Sequence, residues 1–353
     1  MVEFAPLRSF DDLRTRLGQL SGPDEAAAQA ARTHQAELVK PRGALGRLEE
    51  LAVWLAAWQG RHPPRLEHTL VLVFAGNHGV AARGVSAYPP EVTAQMVANF
   101  EAGGAAINQL CGVAGAELAV VPLELERPTG DFCVGPAMTE AECLDALNRG
   151  MAALGPGLDL VALGEMGIGN TASAAAIGAA LHGGPAQWWA GPGSGLDKHG
   201  IAHKVAVVGR GLTRHAEAFR DPIEILRRLG GREIAAMAGA IVAARAHRVP
   251  VLLDGFVAGA AAALLHALSP AALAHTQAAH LSAEPGHARL LERLPLRPLL
   301  QLDMRLGEAS GAALAIMLCR AAVACHTGMA TFAEAGVSDR GGPAADADPG
   351  ARP

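Results

Sequence analysis

The stretch Leu158-Asp-Leu-Val-Ala-Leu-Gly-Glu-Met-Gly-Ile-Gly-Asn-Thr171 decides the fold. Its first six residues are a largely apolar run of strand length. Its middle is glycine-rich, and beyond Thr171 the chain turns alanine-rich, which favours helix. The same order recurs on either side. Thr69–Phe74 (TLVLVF) leads into AGNHGVAARG, and Val249–Leu253 (VPVLL) leads into DGFVAG and a helix through Leu268. A further unit is expected around Glu117–Val121 (ELAVV). Apolar strands alternating with helices predict an α/β fold, a parallel sheet covered by helices on both faces. Ligands of such sheets bind beyond the carboxyl ends of the strands, so the glycine-rich loops are expected to meet on one edge.

Outward from this centre, Pro23-Asp24-Glu25 places acids in the first turn of a helix that runs to Val39, with Pro41 as its breaker. Leu48, Leu51, Leu55 and Trp58 fall at helical spacing across Arg47–Trp58. Leu299–Met304 (LLQLDM) reads as a strand leading to Glu308 and then to an apolar helix from Gly311. The tail from Asp339 has no apolar pattern and is expected to be disordered.

Composition limits the function classes. Half of the 353 residues are hydrophobic and only 4% aromatic, which suits close-packed helices on a sheet and argues against an all-β protein. The formal net charge is −5 with no cationic stripe, so no nucleic-acid partner is expected. The acid-containing N-terminus predicts no signal peptide, and the apolar run after Asp254 is interrupted by glycines, His266 and Pro270, so no membrane span is expected there. Cys111, Cys133, Cys143, Cys319 and Cys325 form no CxxC pair and read as free thiols of a reducing cytoplasm.

Several segments carry residues suited to chemistry. In Gly164–Thr171, glycines let backbone approach a ligand and helix-start amides can hold a phosphate; a tight turn capped by Asn170 or Thr171 would use the same residues. Gly191-Pro-Gly-Ser-Gly195 suits an anion nest with Lys198 or Lys204 nearby, or a plain flexible loop. Glu308 is a carboxylate near a helix start, where both catalysis and capping place one. His78 is a candidate base or ligand, or a structural histidine. HExxH and HxH are absent, and Ser86 lacks a GxSxG context, which leaves a Ser-His-Asp hydrolase without support.

Long segments, in order along the chain, carry a resemblance. They are KPRGALGRLEELA (Lys40–Ala52), AGNHGVAARGVSAYPPEVTAQMVANFEAGGAAIN (Ala75–Asn108), GEMGIGNTASAAAI (Gly164–Ile177), SAEPGHARLLERLPLRPLLQLDMRLGEASGAALAI (Ser282–Ile316) and TFAEAGVSD (Thr331–Asp339). Together they resemble the nicotinate-nucleotide–dimethylbenzimidazole phosphoribosyltransferase family. The resemblance implies a Rossmann-like parallel sheet flanked by helices, with a small helical domain from both chain ends. Residues 1–65 and 306–338 would form the small domain, 66–305 the α/β domain, and 339–353 a disordered tail.

It further implies a cytoplasmic homodimer without cofactor or metal. The substrates would be nicotinate mononucleotide and 5,6-dimethylbenzimidazole, and the products α-ribazole 5′-phosphate and nicotinate, within lower-ligand assembly of cobalamin. By the same likeness Glu308 is the catalytic glutamate. Ser86, Tyr88, Gln95 and Leu306 line the base pocket, and Glu165, Gly167, Gly193, Lys204, Ser282 and Arg305 hold the ribose and phosphate. Three positions depart from the family pattern. Asn77 stands where aspartate is expected, Pro192 and Ser194 interrupt a GRGTG pattern, and Ala172 replaces a second threonine. Two other readings share these motifs: a same-fold transferase acting on adenine or a phenol, and a non-catalytic nucleotide-binding module.

The chemistry suits a single carboxylate. Nicotinate leaves as a neutral pyridine nitrogen and needs no acid, whereas the incoming azole loses one proton, so one general base suffices. No pyrophosphate leaves, so no magnesium clamp is called for. The acceptor needs a flat apolar pocket, for which Tyr88, Met96 and Leu306 are candidates.

Overall fold

The computed structural model describes residues 5–338, so the tail from Asp339 lies outside the described residues. Strands β1 (Thr69–Ala75), β2 (Glu117–Pro122), β3 (Leu160–Met166), β4 (Val251–Leu253) and β5 (Thr276–Ala278) form one parallel sheet in the order β2-β1-β3-β4-β5. The α/β architecture and the strands at TLVLVF, ELAVV, LDLVAL and VPVLL match the expectation. The short β5 has too few residues to declare a period in the sequence.

One expected strand is absent. Leu299–Met304 is not a strand, although the amides of Leu299 and Leu300 donate to the carbonyls of Ala278 and Ala279. Beyond these only isolated bonds follow, from the amide of Leu281 to the Leu300 carbonyl and from that of Ala283 to the Met304 carbonyl, and Asp303 takes a left-handed φ of 54°, so the segment continues as a loop. That departure carries Arg305–Glu308 to the site described below.

Alternation along the strands builds two cores. Leu72 and Phe74 of β1 and Val161 and Leu163 of β3 enter one, with helices Asn170–His182, Arg232–Ala246 and Phe256–Leu268. Val71, Val73, Leu160 and Ala162 enter the other, with helices Arg47–Gln59, Ala106–Ala114 and Ser310–Gly328. Successive side chains on a strand point to opposite faces, and both faces are covered, which is why these strands read as unbroken apolar runs.

N-terminal and C-terminal segments of the described residues meet. Helix Glu25–Glu37 packs on Arg47–Gln59, which packs on Ser310–Gly328, and Leu38 bridges to Thr331. Helix Ser310–Gly328 is long and apolar enough to cross a membrane. Here Ala312, Ala313, Ile316 and Cys319 are buried in the second core, so its composition is that of a core helix.

Candidate active site

The strand order reverses at β1, with β2 on one side and β3 on the other. Connections that leave such a point in opposite directions open a crevice beyond the carboxyl ends. A cavity of about 610 Å³ occupies this edge. Its wall comes from Glu165–Thr171 after β3, Gly255–Val257 after β4, His280, Ser282 and Glu284 after β5, and Arg305–Glu308. Ser86 and Tyr88, from the loop that follows β1, and Met96 complete it. The volume is that of a site for a nucleotide-sized ligand.

Glu308 sits in an unusual turn. Gly307, Glu308 and Ala309 have φ of 83°, 60° and 61°. Residues other than glycine rarely take this left-handed region, and consecutive ones there cost energy. The turn is held from two strands. The amide of Glu308 donates to the Glu165 carbonyl (3.1 Å), at β3, and the amide of Ala312 donates to Asp254 Oδ1 (3.0 Å), just after β4.

The carboxylate of Glu308 is 5% exposed and lines the cavity. It does not cap the following helix, whose N-cap residue is Ala309 with no side-chain cap bond. The capping role left open by the sequence is thereby removed. Burial pushes its carboxyl group up to about 7.

Two more acids lie close by. Glu165 receives a hydrogen bond from the Asn170 amide. It is pushed up to about 8, first by burial and then by the charges of Asp254, Glu233 and Glu308. Buried Asp254 rises to about 7, again through burial, although the amides of Ala312, Gly311 and Ala309 oppose the rise. Negative charges packed in low dielectric do not all ionise together, so the group holds protons at neutral pH.

The opposite wall is built for an anion. Gly193 (φ 52°) donates its amide to Glu284 Oε1 (2.7 Å), and its carbonyl accepts from Arg305 Nη1 (2.8 Å). The helix beginning at Asn170 aims its first turn at the cavity, where helix amides and dipole favour negative charge. Lys204 is fully buried beneath the glycine loop, with Nζ 2.7 Å from Thr171 Oγ1 and 3.2 Å from the Gly191 carbonyl. Burial lowers its amine to about 8. Ser282 is buried, and its Oγ accepts the Glu284 amide (3.3 Å).

The structure therefore brings Glu308, Glu165, Gly167, Gly193, Ser282 and Arg305 to one cavity, with Ser86, Tyr88 and Leu306 at its rim. Lys204 braces the loop from below and is not part of the wall. Gln95 is exposed on helix Val92–Glu101 and also lies outside the wall, which takes Met96 from the same helix. His78 points inward: Nε2 meets Glu233 Oε1 (2.6 Å) and Nδ1 meets Ser173 Oγ (3.1 Å), all of them buried. It is a structural histidine that pins the β1 loop. Asp254, His280 and Glu284 were not singled out in the sequence. For Asp254 the signal was an acid directly after an apolar strand (VPVLL-DGF).

Comparison with known proteins bears on this site as a whole. A family model described as phosphoribosyltransferase matches residues 20–337. The nicotinate-nucleotide–dimethylbenzimidazole phosphoribosyltransferase of Cereibacter sphaeroides (strain ATCC 17025) is 58% identical over 335 residues, covering 95% of this chain and 99% of that protein. The chain belongs to the nicotinate-nucleotide–dimethylbenzimidazole phosphoribosyltransferase family. A second member, from Mesorhizobium japonicum, is also 58% identical, over 95% of this chain and all of its own length, 100%. The crystal structure of the Thermus thermophilus phosphoribosyltransferase superposes with a TM-score of 0.82 at 42% identity, covering 90% of this chain and 100% of that one.

Within this phosphoribosyltransferase fold the three departures have different consequences. Asn77 donates Nδ2 to the Leu125 carbonyl (2.8 Å), a bond that an ionised aspartate has no proton to make. Ala172 is fully buried in the core and does not reach the cavity. Ser194 does reach it: its Oγ lies 2.8 Å from Ser86 Oγ and accepts the Ala87 amide (2.9 Å), tying the glycine loop to the loop that carries Tyr88.

Proposed function

We propose that this chain transfers the phosphoribosyl group of nicotinate mononucleotide to 5,6-dimethylbenzimidazole, yielding α-ribazole 5′-phosphate and nicotinate. The product would serve as the lower-ligand nucleotide of cobalamin. The observation that carries the reading is the buried Glu308 side chain, held in a left-handed turn and lining a cavity whose wall also holds Arg305 and the start of helix Asn170–His182. The nucleotide's phosphate lies against Gly193, Ser282 and Arg305, with Glu165 and Gly167 toward the ribose and Lys204 bracing the loop. The flat acceptor lies between Ser86, Tyr88, Met96 and Leu306. Gln95, outside the cavity wall, has no place in this arrangement.

As the unprotonated azole nitrogen attacks the anomeric carbon opposite nicotinate, the glycosidic electrons pass to the pyridine nitrogen. The β-nucleotide becomes an α-product. Positive charge grows on the azole ring and acidifies its remaining N–H, which Glu308 takes. A carboxyl group near 7 is matched to that task at neutral pH. Its negative charge also favours the cationic ribosyl centre of the transition state.

Around the cavity Tyr88 and Leu306 are 56% and 55% exposed, which suits cover by a second copy of the chain, and a homodimer is part of the proposal. A monomer mass by light scattering at micromolar concentration would remove that part. The residues 306–338 and 1–65 are proposed as one small helical domain. The free cysteines fit a cytoplasmic setting.

Nicotinate release tests the reaction. Purified protein should release nicotinate from the mononucleotide only when an azole base is added, with an α-anomeric product. The rate should titrate as a single base: kcat/KM falls about tenfold per pH unit below about 7, because only ionised Glu308 accepts the proton. Release without any base, or a β-product, would sink the reading. A flat profile down to pH 5 would leave Glu308 without its role.

A further inference from the structure

The geometry points to Asp254 as the positioning residue of the reaction: its carboxylate holds the first turn of helix Ser310–Gly328 and so fixes the left-handed turn that aims Glu308. This inference rests on the function proposed above and assigns a task to a buried acid that the base chemistry leaves unused.

Asp254 is anchored on both sides. Its own amide donates to the Leu163 carbonyl of β3 (3.1 Å), so its backbone is part of the sheet edge. Its Oδ1 accepts the Ala312 amide (3.0 Å), and the amides of Gly311 and Ala309 also favour its ionised form. A first-turn amide such as that of Ala312 lacks a partner within its own helix, because no preceding carbonyl is there to receive it. The helix has no cap from its own N-cap residue, Ala309. Asp254, far away in sequence and just after β4, supplies the missing acceptor. Ala312 stands one helical turn after Glu308, so the bond fixes the turn that follows the proposed base.

The position is demanding. Asp254 is 2% exposed, and its Oδ2 has no hydrogen-bond partner among the described residues. His280 Nε2 lies 3.6 Å from Oδ1, too far for a strong hydrogen bond, and His280 forms part of the cavity wall. A buried acid near other carboxylates is costly unless it has a task. Holding the first turn of the helix behind Glu308 is such a task. A left-handed turn at two non-glycine residues persists only when its surroundings over-determine it. The Glu165 carbonyl restrains it on one side and Asp254 on the other.

Asp254→Asn tests this, because it keeps the shape but points an NH2 group at donors. The expected result is a fall in kcat of about 10²-fold, the size associated with an ångström-scale misplacement. The KM and Kd for nicotinate mononucleotide stay within about two-fold. The decisive comparison is in the Glu308→Gln background. A residue that acts through Glu308 has little left to lose there, so Asp254→Asn should lower the residual rate by less than about two-fold. Equal losses in both backgrounds, or wild-type kcat in Asp254→Asn, overturn the inference. Amide hydrogen exchange reads the same link without turnover: exchange at Ala312 should accelerate about tenfold in Asp254→Asn. Unchanged exchange overturns the link, even if the wild-type protein proves to catalyse another reaction. If Asp254→Asn does not fold, Asp254→Ser retains one acceptor oxygen and carries the same expectations.

Discussion

Glu308→Gln lowers kcat by about 10²–10⁴-fold, the range that general-base assistance supplies, while nucleotide affinity changes little. Glutamine is isosteric, so the left-handed turn and the cavity wall keep their shape. Only the capacity to take the azole proton is removed. The same substitution stabilises the protein at pH 8. The carboxyl group of Glu308 is raised to about 7 by burial. A group whose folded value lies above its unfolded value adds stability below the unfolded value and loses it as pH rises through the folded one. At pH 8 ionised Glu308 therefore opposes folding, and its neutral replacement gains about 1–3 kcal/mol. Above pH 5 the difference in Tm between variant and wild type should grow with pH. Turnover near wild type in Glu308→Gln removes the assignment of the base. A variant that is less stable at pH 8 removes the account of its burial.

The sheet was legible because β1 and β3 have seven residues each and are largely buried on both faces, which makes them unbroken apolar runs, and because flanking residues lengthen the three-residue β4 into the apolar run VPVLL. Thr276–Ala278 is three residues and shows no pattern. Leu299–Met304 misleads for a related reason. Its apolar residues follow the edge of the sheet briefly, and Asp303 then turns the chain away. The glycine-rich loops of the cavity wall were readable from their glycines, since close backbone approach demands them. Lys204 and Gln95 were harder. Their place inside or outside the cavity wall depends on which way a helix face turns, and sequence spacing does not settle that for a loop-flanked helix. Asp254 showed in the sequence only as an acid after an apolar strand; the partner that gives it a task, the Ala312 amide, lies 58 residues away, beyond any local motif.

The largest structural effect is expected at Gly164, within β3, where no reacting group lies. A Cβ built there would stand 2.5 Å from Ala309 Cα and 2.6 Å from Ala309 Cβ. Backbone does not yield as a flexible side-chain tip does, so Gly164→Ala must push the 307–309 turn away from the strand. The bond from the Glu308 amide to the Glu165 carbonyl, one residue along β3, is the first to lengthen. Overpacking of this kind costs about 1–3 kcal/mol of stability. The loss of rate is larger, at least about 10²-fold in kcat, because the carboxylate moves with the turn.

Gly112→Ala is the matched control. It lies in helix Ala106–Ala114, where an added Cβ meets nothing within 4 Å, and a gain of about 0.5–1 kcal/mol with unchanged kcat is expected. Adding Ala309→Gly to Gly164→Ala removes one of the clashing carbons and eases the φ of 61°, so part of the rate should return. The overlap with the Ala309 backbone remains, which keeps the rescue incomplete. Wild-type kcat in Gly164→Ala would mean that the turn tolerates displacement, and that β3 does not set the position of Glu308.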